Sequence, residues 1–235
     1  MTDKQALVII PARGGSKGIP RKNIKEFCGR PLIHYSIDVA RAVAPDSNVI
    51  LSTDDEEIRL CAESTGLPVA YRRPASLGGD TVGSREVILD AMDWADRNGI
   101  TYNKVVLLQP TSPLRTVGDV EDCLKLYTPD CDMVVSVAEA PCNPYYDCFE
   151  TQPDGTLHVS KGEGRLTRRQ DAPKAWQFNG AVYVINPESI RRMALGEFPK
   201  RIPYEMPRSR SVDLDTPLDW TIAETITNTL ESHAD

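Results

Sequence analysis

The sequence predicts an α/β fold: a single Rossmann-like, three-layer α/β/α domain around a mainly parallel sheet. Three observations carry this expectation. Through the first 137 residues, short apolar runs rich in β-branched side chains alternate with segments of helical spacing. Runs such as Val105-Val106-Leu107-Leu108 are apolar at consecutive positions, as in strands covered on both faces. A chain of 235 residues that is 40% hydrophobic and 26% charged can bury a core suited to one α/β domain with a small subdomain.

Taken in order, the run Ala6 to Ile10 has the length and β-branching of a buried strand and stops at Pro11. Pro31 suits the first turn of a helix over 32–43, with Ile33, Ile37 and Ala40 on one face. Residues 48–52 read as a second strand. Thr53 and Glu56 form a capping-box pattern for a helix to residue 65, with Gly66 as its C′ residue. A third short strand is expected over 68–72, then a glycine-bearing loop over 73–83. Val87, Ile88, Ala91, Met92 and Ala95 repeat at helical spacing within 84–98, and Gly99 closes that helix. Residues 104–109 form a strand that ends in the rigid turn Pro110-Thr111-Ser112-Pro113-Leu114-Arg115, with a charge at its tip. A helix over 117–127 and a strand over 132–137 follow. Ligands bind such sheets where the C-terminal ends of the strands emerge, so the loops after the strands should converge on one rim.

The rhythm breaks at residue 139. Segments 145–151 and 156–160 flank Pro153-Asp154-Gly155, a hairpin signal, and a basic stretch over 161–174 follows. Residues 139–176 are therefore read as an insert, either a flap over the site or a subunit contact, between the two parts of the main domain, 1–138 and 177–235. A buried strand over 179–185, a short helix over 187–193, a short strand over 202–206 and a final helix over 217–230 complete the chain.

Net charge is −7, which argues against general nucleic-acid binding, but its distribution is uneven. Residues 1–30 hold Lys4, Arg13, Lys17, Arg21, Lys22, Lys25 and Arg30 against Asp3 and Glu26, a net of +5, so the remainder carries −12. A basic loop on an acidic protein suits a small anion. The loop itself, Arg13-Gly14-Gly15-Ser16-Lys17-Gly18, offers backbone N–H groups that can approach an anion closely, and cations to neutralise it. It fits neither the Walker spacing nor the Gly-x-Gly-x-x-Gly fingerprint, which leaves its ligand open and argues against a dehydrogenase. Six cysteines without Cys-x-x-Cys spacing and three scattered histidines, His34, His158 and His233, point to reduced thiols and no zinc site. No apolar run reaches the roughly 20 residues of a membrane span, and none suits a signal peptide, so the expected location is cytoplasmic.

Asp213 and Asp215 alternate along an extended segment, which in a strict strand puts both carboxylates on one face. Such a pair suits hard-oxygen ligation of a cation; just before a helix start it equally suits capping.

Five stretches, in order and spanning nearly the whole chain, resemble the acylneuraminate cytidylyltransferases, which make CMP-activated sialic acids and related nonulosonates. They are Ile10-Pro11-Ala12-Arg13-Gly14-Gly15-Ser16-Lys17-Gly18-Ile19-Pro20; Ser52-Thr53-Asp54; Arg73-Pro74-x-x-Leu77-x-x-Asp80; Gln109-Pro110-Thr111-Ser112-Pro113-Leu114-Arg115; and Asn179-Gly180-Ala181-Val182-Tyr183 with Ser211-Val212-Asp213-Leu214-Asp215-Thr216. The resemblance implies a nucleotidyltransferase domain that binds CTP and a nonulosonic acid. The anomeric hydroxyl of the sugar attacks the α-phosphate and pyrophosphate leaves. The two substrates together bring a charge of about −5, which calls for cations and a divalent metal. By resemblance Arg13, Ser16, Lys17 and Lys22 contact phosphates, with Arg13 and Lys17 catalytic through the leaving pyrophosphate. Asn23 helps hold the nucleotide, and Arg73 and Ser84 lie on its cytosine and ribose side. Gln109 and Tyr183 face the sugar, while Asp213 and Asp215 hold Mg²⁺ or Mn²⁺. Arg165, Arg168 and Arg169 resemble an arm that reaches across a homodimer to the partner's sugar site, where a guanidinium matches a carboxylate. No residue is assigned as general base, and His34 is read as structural. Tyr146, Trp176 and Phe178 either line the sugar pocket or pack the core. A 3-deoxy-octulosonate cytidylyltransferase and a non-catalytic nucleotide-sugar binder are the competing readings.

Overall fold

The first strand, β1 (Ala6–Pro11), is buried, and its side chains alternate between two apolar clusters: Ala6, Val8 and Ile10 face one, Leu7 and Ile9 the other. That alternation is the three-layer arrangement in miniature. The computed structural model describes residues 5–79 and 81–231; Asp80 and His233, singled out above, lie outside the described residues, as do Asp3 and Lys4. After β1 come a two-residue hairpin, β2 (Glu26–Phe27) and β3 (Arg30–Pro31), then α1 (Leu32–Val43), β4 (Val49–Ser52), α2 (Glu56–Glu63), α3 (Ser84–Arg97), β5 (Lys104–Leu107), α4 (Val117–Leu126) and β6 (Met133–Glu139). The remainder is β7 (Phe149–Thr151), β8 (Leu157–Val159), β9 (Trp176–Ile185), α5 (Pro187–Arg192), β10 (Arg201–Glu205) and α6 (Pro217–Glu231).

The central sheet has the order β10-β6-β9-β5-β1-β4. β1 runs parallel to β4 and β5, and β10 parallel to β6, whereas β9 is antiparallel to both neighbours. The sheet is thus mixed and mainly parallel. Ile33, Ile37, Ala40 and Val43 of α1, Ile58 and Ala62 of α2, and Val120 and Cys123 of α4 cover one face; Ile88, Ala91, Met92 and Ala95 of α3 and Ile190 of α5 cover the other. Because β9 runs backwards, its N-terminal half lies at the same rim as the C-terminal ends of β1, β4, β5 and β6.

Several expectations need correction. Residues 67–74 form no strand: the Arg73 N–H donates to the Thr53 carbonyl at 3.1 Å, but Pro68 and Pro74 lack donors, and β4 stays the sheet edge. α2 is capped by Asp55, whose carboxylate accepts from the Ile58 N–H at 3.0 Å, while Thr53 accepts from Asp55 instead of capping. The β2–β3 hairpin, turning through Cys28 and Gly29 at positive φ, gave no periodic signal because its strands are two residues long. His34 sits between α1 and α2, its Nε2 3.0 Å from the Cys61 carbonyl, far from any role at the rim.

The chain leaves the sheet at Glu139 and returns at Trp176, and these two residues are paired in the ladder. Between them lies the β7–β8 hairpin, with Phe149 opposite Val159 and Thr151 opposite Leu157. Its turn closes through Gln152 and Thr156, as the Pro153-Asp154-Gly155 signal predicts.

Candidate active site

A cavity of about 490 Å³ opens at the rim where β1, β4 and β5 end. The loop after β1 contributes Arg13, Ser16, Lys17, Gly18, Lys22 and Asn23; the 73–84 segment contributes Arg73, Leu77 and Ser84; the turn after β5 contributes Gln109 and Thr111; and Asp213 and Asp215 close the far wall. A second chamber of about 410 Å³ shares Ser84, Leu107 and Gln109 with it and adds Met133, Phe178, Tyr183, Leu195, Gly196 and Arg201. The predicted convergence of loops on one rim holds.

A small third cluster explains why the basic loop and the aspartates meet. Ile19 of the loop, Phe27, Leu32, Leu214, Trp220 and Ala223 are buried together beside the main core. Leu214, fully buried, is the anchor between Asp213 and Asp215, and Ile19 anchors the cationic loop on the same patch. Polar bonds then fix the seam. Lys22 Nζ donates to the Leu214 carbonyl at 2.5 Å and lies 3.2 Å from Asp215 Oδ1, and the Leu214 N–H donates to the Thr111 carbonyl at 2.8 Å. Gly18 passes so close to the Asp215 carbonyl that a Cβ would stand 2.1 Å from it, so only glycine fits.

Segment 213–215 is not a strand. The Asp215 N–H donates back to the Asp213 carbonyl at 3.1 Å, a three-residue turn, so strand alternation is not what presents both carboxylates to the cavity. Nor do they cap α6. Thr216 and Asp219 do that reciprocally, through the Thr216 N–H to Asp219 Oδ2 at 2.7 Å and the Asp219 N–H to the Thr216 hydroxyl at 3.3 Å. Asp213 is the buried member of the pair. Burial pushes its carboxyl above the usual range and the Asp215 charge adds to this, against a hydrogen bond from Thr111 and the Lys22 ammonium. Its Oδ1 is buried without a hydrogen-bond partner, an arrangement that a hard cation would satisfy. Among the described residues no group of three His, Cys, Asp or Glu could hold a metal alone. Two carboxylates fit Mg²⁺ or Mn²⁺ only with phosphate and water completing the shell.

The loop's cations divide their work. Arg21 turns away: its guanidinium lies 2.6 Å from Asp55 and 2.5 Å from Glu57, and the hydrogen bond to Asp55 raises its pKa against the effect of burial. The Asp54 carboxylate accepts from the Gly14 N–H at 3.1 Å. Asn23 is buried and donates to the Arg13 carbonyl at 2.9 Å, so it sets the loop's shape while lining the cavity. Arg73 also lines it, yet its guanidinium is tied to the Ser52 hydroxyl at 2.9 Å and the Ser52 carbonyl at 2.7 Å.

Arg115 corrects the reading of a charge at the tip of a turn. It is buried, and donates to the carbonyls of Gln109 at 2.6 Å, Ser112 at 2.9 Å and Ala181 at 3.4 Å, and to the Ser36 hydroxyl. Carbonyls crowd where strands end, and a guanidinium offers five donors in a fixed fork to satisfy them. Opposite it, β9 bulges. Val135 pairs with Tyr183 and Val137 with Phe178, so residues 179–182 face the single residue Ser136. Asn179 organises the bulge: its Oδ1 accepts from Ser136 at 2.6 Å, its amide donates to Ser211 at 2.9 Å, and its carbonyl accepts from Ser112 at 3.1 Å. Gly180 has φ +74°, and a Cβ there would meet Gln109 Oε1 at 2.9 Å, Ser112 Oγ at 3.2 Å and Asp213 Oδ2 at 3.3 Å. Asn179, Gly180, Ser112, Thr111 and Arg115 are thus positioning groups; the stretches that carry the resemblance contain all five but assign none of them a role, and a glycine beside a polar residue inside a strand pattern was the available signal for Asn179 and Gly180.

Tyr183 lines the second chamber, edge-on to Phe178 with ring centroids 6.2 Å apart. Burial, with the Asp213 charge nearby, pushes its phenol up to about 12, leaving it a neutral hydrogen-bonding group. Of the three aromatic residues left open, Phe178 lines this chamber and Trp176 packs against the core. Arg165, Arg168 and Arg169 line neither chamber. Arg165 pairs with Glu163 at 2.9 Å and Arg168 with Asp171 at 2.8 Å, and Arg169 donates to the Ala140 carbonyl at 2.9 Å.

The sequence profile of the cytidylyltransferase family matches residues 7–143, which takes in the basic loop, the 73–84 segment and the turn after β5. The chain belongs to this family. It is similar to post-translational flagellin modification protein B of Campylobacter coli, 31% identical over 94% of each chain. It is 30% identical to the pseudaminic acid cytidylyltransferase of Campylobacter jejuni, over 93% of this chain and 94% of that one. It is 32% identical to the N-acylneuraminate cytidylyltransferase of Streptococcus agalactiae, of which it spans about half, 51%. The cytidylyltransferase fold also matches a solved CMP:2-keto-3-deoxy-manno-octonic acid synthetase, with TM-score 0.67 over 96% of this chain and 99% of that one at 16% identity, a likeness of fold alone. The protein is a nucleotidyltransferase of the acylneuraminate cytidylyltransferase type. No helix among the described residues is long and apolar enough to cross a membrane.

Proposed function

We propose that the protein transfers CMP from CTP to the anomeric hydroxyl of a nonulosonic acid, releasing pyrophosphate. The observation that carries this reading is the single cavity in which Arg13, Lys17 and Lys22 face Asp213 and Asp215, with a second, more apolar chamber opening off it at Gln109. Sequence relatives at about 30% identity whose names include pseudaminic and N-acylneuraminic acids support a nonulosonate over an octulosonate.

In this reading the triphosphate lies along the basic loop, with Arg13 and Lys17 on the leaving pyrophosphate and Ser16 and Lys22 beside it. Arg73 and Ser84 hold the cytidine side, and Gln109 and Tyr183 orient the sugar in the second chamber. The sugar oxygen bonds to the α-phosphorus as the bond to the β-phosphate oxygen breaks. Positioning and electrostatic stabilisation account for most of such a transfer. Asp213 and Asp215 would hold Mg²⁺ or Mn²⁺ together with the nucleotide phosphates, and the cation would supply charge neutralisation and a lowered hydroxyl pKa. The 139–176 insert forms a homodimer contact, with Arg165, Arg168 and Arg169 directed to the partner's sugar. A cytoplasmic location is part of this reading.

The test is pyrophosphate release from Mg²⁺ with each of the four nucleoside triphosphates and a panel of nonulosonic acids and octulosonate. Release with CTP and a nonulosonic acid alone is expected. Release only with octulosonate, or silence across the panel, would overturn the reading.

A further inference from the structure

The insert leaves the sheet through one tight turn. The Asn143 carbonyl accepts from the N–H groups of Tyr146, Asp147 and Cys148 at 3.0, 3.0 and 3.1 Å, and the Asn143 N–H donates to Asp147 Oδ1 at 2.5 Å. The Asn143 side chain donates to the Pro173 carbonyl at 2.8 Å, on the returning limb, and the Ser160 N–H donates to the Cys148 carbonyl at 2.8 Å. This turn is the root that ties both limbs of the insert and the end of β8 together. It also brings Cys142 and Cys148, both free thiols, to a Sγ–Sγ distance of 3.4 Å, with Cys142 exposed to solvent.

We propose that Cys142 and Cys148 form a reversible dithiol–disulfide site, closed by a peroxide-class oxidant, that staples the root of the insert and resets the support of Arg169. The sulfurs have to close from 3.4 Å to about 2.05 Å. The exposed Cys142 thiolate attacks one peroxide oxygen and the O–O bond breaks; the oxygen that leaves picks up the thiol proton as water, and Cys142 becomes a sulfenic acid. The Cys148 thiolate then attacks that sulfur, the S–S bond forms and the S–O bond breaks, and a second water leaves with the Cys148 proton. Two electrons pass from the two sulfurs to the peroxide.

The consequence for the site follows from where Arg169 hangs. Its guanidinium donates to the Ala140 carbonyl at 2.9 Å and lies 3.9 Å from Glu139 and 3.7 Å from Asp147. Ala140 stands just before Cys142 in the chain and Asp147 just before Cys148, so drawing the sulfurs together moves the supports of Arg169 against each other. The coupling to catalysis rests on the arm reading given above; the disulfide does not.

The experiment treats the full chain with hydrogen peroxide, alkylates the remaining thiols, and reads the intact mass, a tryptic map and the kinetics. We expect a species lighter by two hydrogens that carries a Cys142–Cys148 cross-link, is reversed by dithiothreitol, and is absent in Cys148→Ser and in Cys142→Ser. In the oxidised chain the KM for sugar rises by about threefold while the KM for CTP changes less than about twofold. Oxygen adducts on Cys142 with no cross-link, while circular dichroism reports an intact fold, would overturn the site. A cross-link with an unchanged KM for sugar would overturn its coupling to Arg169. If Arg169→Ala in the reduced chain also leaves that KM unchanged, the failure lies in the arm reading and not in the disulfide.

Discussion

The cavity rim and the 139–176 insert are both rich in cations, and they hold them differently. At the rim, Lys22 is fastened to Leu214 and Asp215, Arg73 to Ser52 of β4, and Arg115 to the Gln109 and Ser112 carbonyls of the turn after β5 and to Ala181 of β9. In the insert, Arg165 and Arg168 pair with carboxylates two and three residues away, and the hairpin exposes Phe149 and Leu157. Pairs of that exposed kind contribute little to a fold. The rim is preorganised within one chain, whereas the insert has its charges and apolar face still turned to solvent. Preorganisation is what stabilises a charged transition state, so substitutions at the rim should cost turnover and substitutions in the insert should cost binding of one substrate.

The largest expected effects test the rim. Asp213→Ala should lower kcat by about a hundredfold or more, as loss of a preorganised electrostatic group does, and added Mg²⁺ should not restore it. Lys17→Ala should lower kcat and kcat/KM together, the pattern of a contact made in the transition state. Steady-state kinetics checks both. If Lys17→Ala raised only the KM for CTP, the loop would be a binding device, and the contrast with the insert would collapse.

Gly180→Ala comes next, because it strikes the point where Gln109, Ser112 and Asp213 converge. With φ at +74° and three oxygens within 3.3 Å of the added carbon, strain of about 1–3 kcal/mol is expected, with a lower Tm and turnover reduced by about tenfold. An active variant with a native Tm would mean that the bulge is slack.

Gly180 also marks the limit of what the sequence discloses. Apolar runs, helical spacing and helix-end signals marked the main-sheet strands and the six α-helices of the described residues, because burial and capping leave a pattern in the chain. Motif resemblance picked out Arg13, Ser16, Lys17, Lys22, Asp213 and Asp215, all of which line the cavity. Arg115 and Asn179 both stand in the stretches that carry the resemblance, but neither spacing nor motif discloses what they do. Arg115 satisfies the carbonyls of its own turn together with Ser36 of α1 and Ala181 of β9, and Asn179 bonds Ser136 across the sheet, so both roles depend on contacts between residues far apart in sequence. The strand expected over 68–72 is absent for a related reason: local β-propensity there is real, but Pro68 removes a ladder donor at its start.

A smaller effect tests the insert. Arg169→Ala should raise the KM for sugar by about threefold to tenfold, leaving kcat and the KM for CTP within about twofold, as loss of ground-state binding to one substrate does. Equal effects on both substrates would place Arg169 in the general architecture and erase the distinction between the regions.

The smallest effect concerns acid stability, where two aspartates with the same direction of shift should behave differently. Burial pushes the Asp119 carboxyl up, but hydrogen bonds from Arg210, at 2.8 and 3.1 Å, and from Thr116 outweigh it and hold the group below the usual carboxylate range. Asp154, in the turn of the insert's hairpin, is also held low, by hydrogen bonds from Thr156, yet it is fully exposed. A depressed folded pKa contributes stability that is present above the unfolded value of about 3.9 and is lost as pH falls through the folded one. Asp119→Asn should therefore unfold several degrees below the parent at pH 7, as loss of a buried charged partner does, and the gap should narrow below about pH 4. Asp154→Asn keeps its acceptor oxygen in water, and its Tm should follow the parent within about 1 °C at every pH. Thermal denaturation across pH 3 to pH 7 reads both, in the order of burial: a constant Asp119 gap would mean that its charge contributes nothing, and a pH-dependent Asp154 gap would mean that the insert is packed as tightly as the rim.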